Sequence, residues 1–199
     1  RFGADRSFDI ADILEELPKL LNQADTIWYS IGSNAKIDQI VGNQISERRD
    51  GLQRGGAALE AVRDPQELID ELRLIKSRSE ISALQRAIDI TAAGLAHIRD
   101  YVEPGKTEYE VQGTLESEYR KLGSPRDGFP SIVAAGHNSC TLHYIDNRDL
   151  IKNGDLLLLD TGAEWDFYSA DVSRTYPANG KFTPAQKDVY EIVWSAQQT

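Results

Sequence analysis

Four consecutive leucines, residues 156–159, run directly into Asp160, and the chain then reads D-T-G-A-E-W-D-F-Y-S-A-D-V-S-R-T-Y-P over residues 160–177. A short apolar run bounded by turn residues marks a buried strand, here one that ends on a carboxylate. Gly162, Glu164 and Asp166 supply a turn region, and residues 167–175 read as a returning strand, so the segment is a β-hairpin. If the hairpin is symmetric about Trp165 and Asp166, Asp160 and Asp171 are directly opposed on one face. Two carboxylates so placed share a proton or bind cations, and hard divalent metals take oxygen ligands. The plain alternative is a solvated hairpin, because two aspartates alone do not make up a metal motif.

Upstream of the hairpin the chain divides by pattern. Phe8, Ile10, Ile13, Leu14, Leu17, Leu20 and Leu21 recur at helical spacing, with Pro18 placed to kink or divide that helix. A strand is expected over residues 26–31, a second amphipathic helix carries Ile37, Ile40, Val41 and Ile45, and a short strand is expected over 57–62. That order suggests part of a small α/β domain. Asp64, Pro65 and Glu67 have the form of a new helix start, and the domain boundary is expected there, giving regions 1–66 and 67–199. Beyond it, long helices precede strands. Ile81, Leu84, Ile88, Leu95 and Ile98 line one helix, while Thr107 and Glu110 cap another that carries Val111, Leu115, Tyr119 and Leu122. Strands are expected at 131–135, around 142–145 and in the hairpin, so the second region reads as α+β.

Four blocks, in order, carry a family resemblance. They are L-R-L-I-K-S-R-S-E-I at 72–81, I-V-A-A-G-H-N-S-C-T-L-H-Y at 132–144, G-D-L-L-L-L-D-T-G at 154–162, and the Asp171 segment followed by N-G-K-F-T-P-A-Q at 179–186. With them the chain resembles the Xaa-Pro aminopeptidases, the proline-directed branch of the pita-bread metallopeptidases. The resemblance implies a partial pita-bread (creatinase/aminopeptidase-like) catalytic domain over 67–199, preceded by part of a small α/β N-terminal domain. It implies two divalent metal ions, Mn2+ by preference, with Asp160 and Asp171 matching the first two of five protein ligands. His143 matches a histidine that holds substrate and the tetrahedral intermediate.

The implied reaction releases the N-terminal residue from a peptide with proline second, by attack of a metal-bridging hydroxide. The implied partner is therefore a peptide substrate with an Xaa-Pro N-terminus, and the intact parent is expected to be a homo-oligomer. A prolidase acting on dipeptides and a non-catalytic pita-bread binding domain are the competing readings. The remaining ligands, one histidine and two glutamates, lie downstream in relatives. Thr183, Pro184 and Gln186 start a helix whose apolar stripe, Val189, Tyr190, Ile192, Val193 and Trp194, meets no stop signal. The sequence is therefore expected to be the front part of a longer protein, and by itself inactive.

Other residues take plainer roles. His97 lies on a helical pattern and reads as structural or surface, and His137 lies in a loop. Cys140 beside His143 has no orienting acid and reads as a small buried residue. Arg48, Arg49 and Arg54 read as a solvated helix end. The formal charge of −10 over 199 residues disfavours nucleic acid. No run approaches the roughly 18 apolar residues of a membrane span. One cysteine excludes an internal disulfide and suits a reducing compartment, so a cytoplasmic protein is expected.

Overall fold

Helices begin where short polar side chains can satisfy their first free N–H groups. In the computed structural model, which describes Gly3 and residues 5–199, the expected caps at Thr107 and Thr183 are full capping boxes. Thr107 Oγ1 accepts from Glu110 N while Glu110 accepts from Thr107 N, and Thr183 and Gln186 do the same. Ser77 and Glu80 form a third box, which opens the longest helix.

The chain divides into two compact units, the first ending at Ile75 and the second starting at Lys76. The first holds α1 (Ile13–Leu21), β1 (Thr26–Trp28), α2 (Ala35–Gly51), β2 (Ala61–Arg63) and α3 (Gln66–Leu74). The two strands pair in parallel, as a helix-connected α/β unit requires. Both are shorter than their apolar patterns suggest, with single bonds extending the ladder from Tyr29 N to Arg63 O and from Glu60 N to Asp25 O. Pro18 does not divide α1, whose last turn closes with Asn22 N donating to Pro18 O. Arg48 is no merely solvated charge, since its guanidinium donates to Leu21 O and Ala24 O beyond that turn. Asp64 accepts from Gln66 N, and the signal at 64–67 does mark a helix start, but Pro65 takes the cap position and Glu67 forms no capping box. That signal does not mark the division of the units, because the helix it opens, α3, falls within the first one.

The second unit is built from α4 (Arg78–Tyr101), α5 (Glu108–Lys121), β3 (Ile132–Ala135), β4 (Leu156–Thr161), β5 (Glu164–Trp165), β6 (Tyr168–Ser169), β7 (Val172–Pro177) and α6 (Pro184–Gln197). The main sheet has the order β3-β4-β7 and is antiparallel throughout. Its inner face packs on the two long helices. Leu157 and Leu159 alternate inward with Val133 and Ala135 against Ile90, Leu95, Ile98, Val111, Leu115 and Tyr119, all fully or nearly fully buried. The four-leucine run is therefore not buried on both sides. Leu156, Leu158 and Asp160 share the outer, half-buried face, as a period of two requires. No strand forms at 142–145. That segment is turn and irregular backbone, with His143 at φ 53° and Asn147 at φ 47°, both left-handed and incompatible with a strand. Among the described residues no helix is long and apolar enough to cross a membrane.

Candidate metal centre

β4 delivers Asp160 to the outer face of the sheet, where its partner in β3 is Ile132 and its partner in β7 is Ser173. Asp171 is thus not directly opposite Asp160. The hairpin turns at Asp166 and Phe167, both at positive φ (50° and 67°), with Trp165 paired to Tyr168. Two-residue hairpin loops favour left-handed backbone at both positions, and that choice moves the centre of symmetry one residue past the expected one. Pairing then shifts by two. A shift of two preserves the face, so Asp171 becomes a diagonal neighbour of Asp160 instead of its direct partner. Close approach of the two arms depends on Gly162, where a Cβ atom would lie 1.6 Å from Ala170 O.

The two aspartates, His143 and an apolar wall of Phe129, Pro130, Ile132 and Ile145 line one cavity of about 430 Å³. Asp160 Oδ1 is buried there without a hydrogen-bond partner. Burial holds the Asp160 carboxyl above its ordinary range, the neighbouring Asp171 carboxylate acts in the same direction, and the Ser173 hydroxyl opposes them. An orphaned carboxylate oxygen beside a second carboxylate is the donor set that a hard divalent cation accepts. Among the described residues no group of three or more His, Cys, Asp or Glu side chains converges to hold a metal, here or elsewhere.

His143 reaches the cavity from the irregular segment after β3 and is exposed. The other candidates lie elsewhere. His97 stacks on Tyr101 along α4 and lies 3.7 Å from Glu118, at a shallow groove of about 500 Å³ lined by no unpartnered buried side-chain atom. His137 and Cys140 occupy a short 3-10 turn, and Cys140 is exposed where burial is expected, because that turn bulges off the strand end. The apolar wall escapes sequence reading. Phe129, Pro130 and Ile145 sit in irregular segments with no periodicity to mark a shared face, so only the tertiary fold brings them together.

Residues 82–199 match the model of metallopeptidase family M24. The chain belongs to that family. Over its whole length it is 35% identical to the Xaa-Pro aminopeptidase of Escherichia coli K12, of which it covers 45%. It superposes on Pseudomonas aeruginosa aminopeptidase PepP with a TM-score of 0.92 at 38% identity, covering 99% of this chain and 45% of that one. A zinc-substituted E. coli aminopeptidase P in complex with product matches with a TM-score of 0.90 at 36% identity, over 97% of this chain and 44% of that one. The α+β, pita-bread expectation is met by these matches. The M24 chain described here spans under half the length of the relatives it matches.

Proposed function

We propose that the protein carrying this M24 chain is a manganese-dependent Xaa-Pro aminopeptidase in which Asp160 and Asp171 hold metal and His143 serves the substrate. The observation that carries the reading is the unpartnered, buried Asp160 Oδ1 facing a cavity shared with Asp171 and His143. The names of the relatives supply the substrate class. Divalent metal bound there would supply a water that ionises near neutral pH and a Lewis acid for the scissile carbonyl.

The chain's own residues supply part of what the reaction needs. Asp160 in β4 and Asp171 directly before β7 give oxygen donors at a hydrogen-bonded hairpin, which holds them more firmly than a free loop would. The exposed His143 imidazole lines the same cavity and would donate to an oxygen as negative charge develops. Phe129, Pro130, Ile132 and Ile145 offer an apolar wall suited to a pyrrolidine ring. Proline gives its peptide bond no N–H, so such a wall meets the substrate without stranding a buried donor. The free, exposed thiol of Cys140 supports a reducing, cytoplasmic location.

The test is turnover of Xaa-Pro peptides of increasing length by the whole protein with manganese, against an Asp171→Asn variant. Cleavage of tripeptides and longer is expected. The variant should lose more than the roughly 10–100-fold typical of an outer-sphere change. Cleavage of dipeptides only would make the protein a prolidase, and wild-type turnover and metal content in Asp171→Asn would remove the assignment of the site.

A further inference from the structure

His143 has left-handed backbone and an exposed side chain that lines the cavity of the two aspartates, so its place depends on the segment that carries it. The neighbouring Tyr144 leads to the group that holds that segment. Glu108, the first residue of α5, is fully buried, and its carboxylate accepts four hydrogen bonds. Oε1 takes Ala135 N at 2.7 Å and Asn138 Nδ2 at 3.0 Å. Oε2 takes the Tyr144 hydroxyl at 2.7 Å and Asp149 N at 2.9 Å. The Glu108 N–H also donates to Asp149 O at 3.0 Å, so that residue is gripped from both sides.

These contacts fall at meaningful places along the chain. Ala135 is the last residue of β3 and Asp149 precedes the bridge from Leu150 to Thr107, so one carboxylate ties together both ends of the irregular segment. Tyr144, next to His143, is tied to it as well. The free edge of β3 is the surface on which the segment rests. Asn147 Oδ1 accepts from Val133 N and its Nδ2 donates to Ser131 O, so side chains of the segment replace the strand partner that the edge lacks.

We propose that Glu108 is a positioning residue that holds the 136–149 segment, and with it His143, at the working distance from Asp160 and Asp171. The inference rests on the reading of His143 as the residue that serves the substrate. Glu108 touches nothing in the cavity and acts only through the segment. An acceptor-only side chain suits four donors, and glutamine does not, since its NH2 would confront one pair of them. The Tyr144 hydroxyl, pushed up to about 12 by burial and by its bond to Glu108, stays a donor throughout the working range.

Two variants and two readouts test this. In the whole protein, Glu108→Gln and the milder Tyr144→Phe should each speed amide exchange at residues 136–149 by about 10-fold or more, leaving the β4 amides of Leu157 and Leu159 protected, as expected for local opening. The His143 imidazole nitrogen signals should shift or broaden in both. In the whole protein, Glu108→Gln should lower kcat by up to about 10²-fold with little change in KM, the scale of a small misplacement. Combined with His143→Ala it should cost no more than His143→Ala alone. Unchanged exchange and an unchanged His143 signal in the folded Tyr144→Phe chain would overturn the proposal, as would multiplicative losses in the double variant. If the wild-type whole protein cleaves no Xaa-Pro peptide, the functional reading fails by itself, and the exchange and imidazole measurements still decide whether Glu108 holds His143.

Discussion

Two carboxylates in the same unit, Glu108 and Asp160, meet opposite fates. Glu108 is sealed inside with four donors on its two oxygens, while Asp160 is partly open, carries one oxygen with no partner and sits beside another carboxylate. A buried acid whose lone pairs are filled is left to hold its neighbours in place. An acid whose environment opposes its charge has room for a partner that the fold does not supply, which the proposed function takes to be a cation. The contrast is between a group the structure has completed and one it has left incomplete.

The largest effect is expected where the two arms that create the incomplete site touch. Gly162→Ala would put a methyl group 1.6 Å from Ala170 O, a backbone atom that cannot turn aside as a side chain tip does. The hairpin must open to admit it. A loss on the order of 4 kcal/mol or more is expected, with the Asp160 and Asp171 arms separated and any manganese affinity gone. A chain of near wild-type denaturation midpoint would show that the arms are not in register as described.

Next comes the contrast itself. Glu108→Ala removes the acceptor of Ala135 N, the Tyr144 hydroxyl and Asp149 N, and one of the acceptors of Asn138 Nδ2, and should cost on the order of 3–5 kcal/mol. Asp160→Asn removes a charge that burial and Asp171 both oppose, and should leave stability unchanged or raise the melting temperature by a few degrees at most. Equal losses in the two variants, measured by urea denaturation of the metal-free chain, would break the comparison.

Sequence reading reached one of these acids and not the other, for a physical reason. Asp160 follows an apolar strand and has its second carboxylate within one hairpin, so both periodicity and local turn chemistry point to it. Even there the register came out two residues different, because the choice of Asp166 and Phe167 as the turn pair depends on left-handed backbone that neither residue advertises as glycine would. Glu108 follows the cap residue Thr107 and looks like any first-turn acid favoured by the helix dipole. Its donors come from Ala135, Asn138, Tyr144 and Asp149, and no local pattern links a helix start to a loop so distant in the chain. The capping boxes were legible because every atom they use lies within four residues.

A third acid sharpens the comparison by separating hydrogen bonding from burial. Glu80 accepts from the Tyr168 hydroxyl, from the β5–β6 hairpin, and from Ser77 N in its capping box, but at the surface of the unit. The Tyr168 hydrogen bond is the main reason that its carboxyl falls from 4.5 to about 2, with Ser77 next. A carboxyl whose folded value lies below its unfolded one stabilises the fold fully above about 4.5, and that contribution disappears as pH falls through about 2. Tyr168→Phe removes the main cause. The variant should therefore be slightly less stable than wild type at pH 7, with a gap that narrows steadily between pH 4.5 and pH 3. Because water screens this bond, the gap should be small, well below the loss in Glu108→Ala. Urea midpoints of the two chains across that range decide it: a gap of constant size would mean that Tyr168 stabilises through packing on α4 alone, and that donor count, without burial, does not distinguish one acid from another.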